Sequence, residues 1–276
     1  MKDKVCIVTG GNAGIGYEIV KSLASMQARV VMVCRNHERG QGAITTIQRE
    51  LTNCSIDLVL GDLSTISSTK QLGIKLTESY PQIDVLIHNA GVWMTEKIVN
   101  EDGLEMSFMV NHLAPFILTQ KLIPNLKNSA PSRIVHVNAG LYIKGNVDLA
   151  ETPYGKDFGR FASYANSKLC AVLTLKEQTA RLEGTGVTLN MAHPGVIQTG
   201  LGDAKGLMGW LLRQIKRTWS TPAEGAVAPV WLATDPELVN TTGTYFDEKQ
   251  IMPLDSKAEN EQLAKGIWQL SEELMG

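Results

Sequence analysis

Cysteine is scarce in this chain: Cys6, Cys34, Cys54 and Cys170 are all that 276 residues carry. They form no C-x-x-C pair, and no histidine stands near them at zinc-finger spacing. That argues against a disulfide scaffold and a structural zinc site, and leaves buried, reduced thiols. An excess of one charge is missing too: 26 Lys and Arg face 28 Asp and Glu, a net charge of −2. A nucleic-acid or anionic-membrane surface would call for a clear basic excess, so no nucleic-acid partner is expected. No apolar run approaches the ~20 residues that span a bilayer. No secretory leader pattern opens the chain, and it reads as cytoplasmic. His37, His88, His112, His136 and His193 show neither H-x-x-x-H nor H-E-x-x-H spacing, so no metal is expected. Linkers, low-complexity tracts and internal repeats are absent, which leaves residues 1–276 as one domain.

What is present alternates two periods. Short apolar runs at Val5–Val8, Val30–Cys34, Ile56–Leu60, Val85–His88, Ile134–Val137 and Val187–Ala192 read as strands, with Gly243–Phe246 as an edge strand. Helical patterns lie between and after them: from Ile15, over Ala43–Leu51, Thr65–Ser79, Leu104–Leu126 with an interruption at Pro115, Tyr164–Glu183, Ala223–Thr234 and Ser256–Leu274. Such alternation predicts βαβ units and an α/β fold: a single-domain, doubly wound parallel sheet of about seven strands with helices on both faces.

Thr9-Gly10-Gly11-Asn12-Ala13-Gly14-Ile15-Gly16 follows the first strand and opens the first helix. Gly10 suits the positive φ of a tight turn. Gly14 lets the backbone approach a pyrophosphate, and Gly16 lets helix pack closely on strand. The helix N-terminus then offers free N–H groups and the positive end of its dipole. A glycine cluster alone is weak evidence; its place between strand and helix is what supports the reading.

With the motifs that follow, the chain resembles the short-chain dehydrogenase/reductase family. The pattern T-G-x-x-x-G-I-G from Thr9 is joined in order by Asp62-Leu63, Asn89-Ala90-Gly91, Asn111, Tyr164-x-x-x-Lys168 and His193-Pro194-Gly195 through Thr199. Cys34-Arg35-Asn36 and the insert before Tyr164 are most similar to the retinol-dehydrogenase and WW-domain-oxidoreductase branch. The resemblance implies a Rossmann fold and a nicotinamide cofactor. It implies contacts from Gly10, Asn12, Gly14, Ile15, Gly16, Arg35 and Asn36. Asp62 would meet the adenine amino group, with Leu63 beside it; capping a helix is the plainer role for Asp62. Asn89, Ala90 and Gly91 would line the adenosine ribose. Pro194, Gly195 and Val196 with Thr199 would hold the carboxamide.

The second strand ends without a carboxylate that would bind ribose hydroxyls and repel a 2′-phosphate. Arg35 stands there instead, and a guanidinium matches phosphate in charge and geometry. NADP(H) is therefore the expected cofactor.

Tyr164 and Lys168 are four residues apart and share a helix face. A nearby ammonium would lower the phenol's pKa from its usual value near ~10. Tyr164 could then exchange a proton with a substrate C–O group. The resemblance gives Lys168 the nicotinamide ribose as well, and gives Asn111 a water that links Lys168 to solvent. One position departs from the family. The segment Val135-His136-Val137-Asn138-Ala139-Gly140 puts Ala139 where a catalytic serine is expected. Losing one donor to a developing oxyanion costs about 10²–10³ in rate. Another donor could replace it: Asn138, Ser163, Tyr142 or a water. Strand alternation turns Asn138 to the opposite face, and Ser163 faces away from Tyr164 on the helix. Alternatively the chemistry is reduction of a polarised C=C bond, which does not need the serine. A third reading is an NADP(H)-binding pseudoenzyme or regulatory module.

Segment 202–221 reads as a substrate lid. Leu207, Trp210 and other apolar residues alternate there with Lys205, Arg213, Lys216 and Arg217. It could close over a hydrophobic substrate, touch a membrane surface or a partner, or pack as an ordinary amphipathic helix. Ala139 and Tyr142 are further candidates for the pocket wall. Segment 145–161 is read as a flexible rim, and His193 as a packing residue. The resemblance also implies a homo-oligomer, a dimer or tetramer.

Overall fold

Two apolar faces on one strand need two layers of helix to cover them. Cys6 and Val8 point to one side of the first strand and Ile7 to the other, and all three are buried. A computed structural model describes residues 1–196 and 220–276. Its strands are β1 (Val5–Thr9), β2 (Arg29–Cys34), β3 (Ser55–Leu60), β4 (Val85–His88), β5 (Ser132–Val137), β6 (Val187–His193), β7 (Tyr245–Asp247) and β8 (Gln250–Ile251). They form one 8-stranded sheet in the order β3-β2-β1-β4-β5-β6-β7-β8, parallel except for β8.

The helices are α1 (Gly14–Ser25), α2 (His37–Glu50), α3 (Ile66–Ser79), α4 (Met106–Phe108), α5 (Ala114–Lys127), α6 (Arg160–Arg181), α7 (Pro222–Thr234) and α8 (Glu261–Met275). Ile19, Val20 and Leu23 of α1, Ile44 and Ile47 of α2, and Leu232 of α7 cover the Cys6–Val8 face. Leu72 and Leu76 of α3, Leu118 and Leu122 of α5, Leu169 of α6 and Ile267 of α8 cover the Ile7 face. Each such side chain, fully buried, contributes about 1.5–3 kcal/mol.

One strand more is present than the expected seven. β8 is two residues long, pairs antiparallel with β7 across a turn at Glu248-Lys249, and is too short to show a period. The α2 helix starts at His37 rather than Ala43. Its first turn has no apolar stripe, and Asn36 defines it by accepting a hydrogen bond from the Arg39 N–H at 2.8 Å. The α6 helix starts at Arg160, one turn ahead of Tyr164. The α8 helix starts later than Ser256, because residues 256–259 form turns before the Asn260 cap.

The chain winds from β1 to β2 and β3, then crosses back to the other side of β1 for β4. The loops after β1 and β4 therefore part at the carboxyl ends of the strands and leave a crevice there.

Candidate active site

One end of the crevice is built from backbone. Gly10 and Gly14 have φ of +67° and +55°. A Cβ on Gly16 would lie 2.2 Å from the Gly10 carbonyl oxygen and 2.4 Å from Asn89 Nδ2, so only glycine fits. A Cβ on Gly14 would meet nothing within 4 Å, so the backbone there borders open space. Ala13 precedes α1 with no side-chain cap, which leaves the first N–H groups of the helix free for an anion. This open, uncapped helix start fits the pyrophosphate of a dinucleotide. Asn12 and Ile15 flank it, half-buried.

The neighbouring residues divide into those free for a ligand and those spent on the fold. Arg35 is exposed at the end of β2. Asn36 is spent as the α2 cap. One Asp62 carboxylate oxygen accepts from the Ser64 N–H at 3.0 Å, while Thr65 is the cap of α3. Leu63 is buried. Asn89 Nδ2 donates to the carbonyls of Thr9 and Gly10 at 3.0 and 3.3 Å. The N–H groups of Asn89 and Ala90 donate to Thr9 Oγ1, both at 3.1 Å. These bonds lock the β4 loop to the phosphate loop. Pro194, Gly195 and Val196 leave β6 in a turn, with Gly195 at φ +86° and Val196 57% exposed.

The other end of the crevice is built from buried polar side chains. Tyr164 and Lys168 are one turn apart on α6, and the Lys168 Nζ lies 5.8 Å from the Tyr164 ring centroid. Lys168 is buried and donates to the Val137 carbonyl at 3.1 Å; burial brings its pKa down to about 8. Burial also pushes the Tyr164 phenol up to about 12. The direction set by burial is opposite to the lowering expected from the ammonium. Gly91 lies against the same group: a Cβ there would be 3.3 Å from Asn111 Oδ1 and 3.8 Å from Lys168 Nζ.

Asn111 acts as a staple. Its Oδ1 accepts from the Val92 N–H at 2.7 Å, and its Nδ2 donates to the Val92 carbonyl and to Ser167 Oγ at 2.8 and 2.9 Å. Its side chain is therefore committed to protein. Met109–Leu113 is a π-helical turn, in which the Ala114 N–H reaches back to the Met109 carbonyl. Pro115 has no N–H to offer the Asn111 carbonyl four residues back. The interruption expected at Pro115 thus takes the form of this register slip, with helix continuing beyond it. His136 hydrogen-bonds to the freed main chain of Asn111.

The expected substitutes for a serine hydroxyl are otherwise engaged. Asn138 Oδ1 accepts from the Ala139 N–H at 2.6 Å, and its Nδ2 donates to the Lys168 carbonyl at 3.3 Å. Ser163 Oγ accepts from the Gly159 N–H at 3.2 Å, inside the first turn of α6. Tyr142, expected in the pocket wall, packs among core residues. It is 3% exposed, its ring meets Tyr245 at 5.0 Å, and its hydroxyl accepts from the Asp255 N–H at 3.0 Å. Ala139 itself stands in extended conformation at the end of β5. The rim at 145–161 is held down rather than loose. Thr152 Oγ1 and Asn166 Nδ2 both donate to Asp157 Oδ2, at 2.6 and 3.1 Å, and Asn166 Oδ1 accepts from the Asn146 N–H. Thr199, Leu207 and Trp210 lie outside the described residues, as does the expected lid up to residue 219.

Two groups escaped the sequence reading. The Trp93 indole stacks on Tyr164 at 4.7 Å and 13° and meets Phe161 edge-on at 5.2 Å. Its N–H donates to the Arg160 carbonyl at 2.6 Å, and Arg160 Nε donates to the Thr95 carbonyl at 2.9 Å. Only its place two residues after Asn89-Ala90-Gly91 hinted at this. His88, His112 and His136 converge behind Lys168 around a cavity of about 10 Å³, room for one water. Their even burial follows from strand and helix positions that no histidine spacing rule addresses.

Comparison with known proteins agrees with this architecture. A family model described as short chain dehydrogenase matches residues 4–207. Human retinol dehydrogenase 14 is 34% identical over 299 aligned positions, covering 100% of this chain and 87% of that protein. Human retinol dehydrogenase 13 is 35% identical, covering 99% and 85%. Among solved structures, an uncharacterised Mycobacterium paratuberculosis protein superposes with a TM-score of 0.79 at 24% identity, covering 99% and 94%. A short-chain dehydrogenase/reductase from Serratia marcescens gives 0.70 at 25%, covering 89% and 96%. The chain belongs to the short chain dehydrogenase family, on the retinol dehydrogenase branch, and is an oxidoreductase by that membership.

Proposed function

We propose that this oxidoreductase is NADP(H)-dependent and reduces a carbonyl, or oxidises the corresponding alcohol, on a hydrophobic small molecule. Tyr164 is its acid/base, and no serine hydroxyl takes part. The observation that carries the reading is the Tyr164–Lys168 pair, buried at the crevice beside an uncapped helix start. Gly10, Gly14, Gly16 and the first N–H groups of α1 would hold the pyrophosphate, and Arg35 the 2′-phosphate. NADP(H), when bound, supplies or accepts the hydride.

The chain's own residues handle the proton and the geometry. A phenol pushed up to about 12 is a full O–H at neutral pH, the form that can protonate an oxygen gaining negative charge. The Lys168 ammonium, fixed by Val137, favours the phenolate left behind. Asn111 holds the Val92 loop against α6 and so sets the distance between the two walls. Trp93 keeps the Tyr164 ring in plane. A hydrophobic substrate is supported by the relatives named retinol dehydrogenases and by the apolar sequence around Leu207 and Trp210.

A second reading is favoured by one feature, the methyl group of Ala139 where a donor would stand: reduction of a polarised C=C bond. NADPH consumption with a panel of ketones, aldehydes and enones separates the two. Turnover of saturated carbonyls supports the first reading, and turnover confined to enones with loss of the double bond supports the second. Tight NADPH binding without turnover of any of them would leave a binding module.

A further inference from the structure

Asn138, Tyr142 and Ser163 are all turned into the fold, so a substrate oxygen beside Tyr164 has no donor from the residues the sequence singles out. His193 is the side chain that answers. It ends β6, one residue beyond the Val137–Ala192 pair, and so lies level with Asn138, the residue before Ala139, at the carboxyl edge of the sheet. The Asn138 N–H donates to the Ala192 carbonyl at 2.8 Å, and the Glu248 N–H donates to the His193 carbonyl at 2.8 Å. The backbone that carries the ring is therefore fixed from both sides.

The ring itself is oriented. A Cβ on Gly140 would lie 3.1 Å from His193 Cδ2 and 3.3 Å from Nε2. That edge faces the start of the loop after β5, next to Ala139. The opposite nitrogen, Nδ1, is buried without a hydrogen-bond partner among the described residues. An orphaned N–H is harder to tolerate in the interior than an orphaned acceptor nitrogen. The hydrogen therefore belongs on Nε2, the atom on the Gly140 side. Four other buried atoms lack partners among the described residues: His88 Nδ1, Ser132 Oγ, Tyr245 Oη and Trp268 Nε1. His88 ends β4, but it bonds Thr119 through Nε2 and lines the small cavity with His112 and His136. Ser132 begins β5, Trp268 is on α8, and Tyr245 pairs with Met191, two residues below His193.

We infer that His193 is a catalytic residue, the hydrogen-bond donor to the substrate oxygen, reaching from β6 into the place that a hydroxyl at position 139 would occupy. This rests on the carbonyl-reductase reading proposed above. No bond of His193 breaks: its Nε2–H polarises the C–O group while the Tyr164 O–H gives up the proton, and the imidazole ends as it began. The charged groups around it suit a neutral ring. Burial lowers its pKa and Lys168 on α6 lowers it further, against Asp247 and Glu248 at the end of β7, which raise it.

The test compares wild type, His193→Phe, Ala139→Ser and the double variant, for NADPH affinity and for kcat/KM on the best carbonyl of the panel. His193→Phe is expected to keep NADPH affinity and lose about 10²–10³ in kcat/KM. Adding Ala139→Ser to it is expected to recover at least roughly tenfold of that, while Ala139→Ser alone gains less, since a donor is already in place. A His193→Phe protein within about threefold of wild type overturns the inference alone. Should His193→Phe also lose NADPH affinity, the single Ala139→Ser variant decides: a gain above tenfold over wild type means the oxygen had no donor, and overturns it. A wild type without carbonyl turnover overturns the carbonyl-reductase reading and this inference together.

Discussion

The two ends of the crevice are made by opposite means. The end proposed for the dinucleotide uses what side chains leave out: glycine at 10, 14 and 16, and a helix start with no cap. The end proposed for the substrate uses side chains packed in against their solvation preference: Tyr164, Lys168, Asn111, Asn138 and the histidines behind them. The first kind of recognition is steric and barely feels pH. The second depends on burial, and burial moves every titratable group in it. On the proposed reading, position 139 can dispense with a hydroxyl while the glycine positions cannot accept a side chain. A missing Cβ has no substitute, whereas a missing hydroxyl can be replaced by another donor.

The sharpest break in that comparison comes from Tyr164→Phe. It is expected to lower turnover by about 10²–10⁴ and leave NADPH affinity within about twofold, because the hydroxyl belongs to the substrate end alone. Steady-state kinetics beside a fluorescence titration of NADPH checks both halves. Gly16→Ala should do the reverse. Its methyl would enter the Gly10 carbonyl, and NADPH affinity should fall by about a hundredfold, since overpacking costs roughly 1–3 kcal/mol or more. Gly14→Ala, which meets no atom, is the control; its effect should stay near the roughly tenfold that the αL strain implies. Unchanged affinity in Gly16→Ala would remove the steric account.

Arg35→Asp sharpens the dinucleotide side. The ratio of NADPH to NADH affinity should reverse, by roughly tenfold to a hundredfold on each side, as a charge-assisted contact is lost and a repulsion gained. Equal affinities in wild type would sink the assignment of NADP(H). On the substrate side, pH is the tool. Burial brings His88 and His112 down to about 3, and holds His136 well below its usual range. Between pH 3 and ~6.5 the unfolded chain binds protons that the folded chain refuses, so stability falls as pH falls. Each of His88 and His112 should cost roughly 2 kcal/mol by pH 5. Denaturant melts at pH 7 and pH 5 measure this, and His88→Asn should flatten the slope. The smallest effect is expected from Trp93→Leu: a loss of about 1 kcal/mol of stacking and a fall in turnover below tenfold, read from the melt and from kcat.

Legibility followed the same division. The glycine turn between β1 and α1 was readable because strand, glycines and helix start are consecutive in sequence. The parallel strands were readable because each is a short apolar run buried on both faces, and β8 was not because two residues carry no period. Tyr164 and Lys168 were readable as an i, i+4 pair. The partnerships of Asn138, Tyr142 and Ser163 were not, since each is made across the fold: Tyr142, for example, answers to Asp255, more than a hundred residues on. The histidine cluster was invisible for the same reason. His88, His112 and His136 come from three elements, and only the π-helical slip at Asn111 brings a free carbonyl to them.

The reciprocal bonds between Trp93 and Arg160, and between Arg160 and Thr95, have a mechanical consequence. They bolt the loop after β4 to the first turn of α6. With Asn111 pinning Val92 and Ser167, cofactor wall and catalytic wall become one stiff bracket. A cleft braced in this way does not open by spreading those two walls. The crevice edge left outside that bracket, among the described residues, is the one over the ends of β5 and β6, where His193 and Gly195 stand.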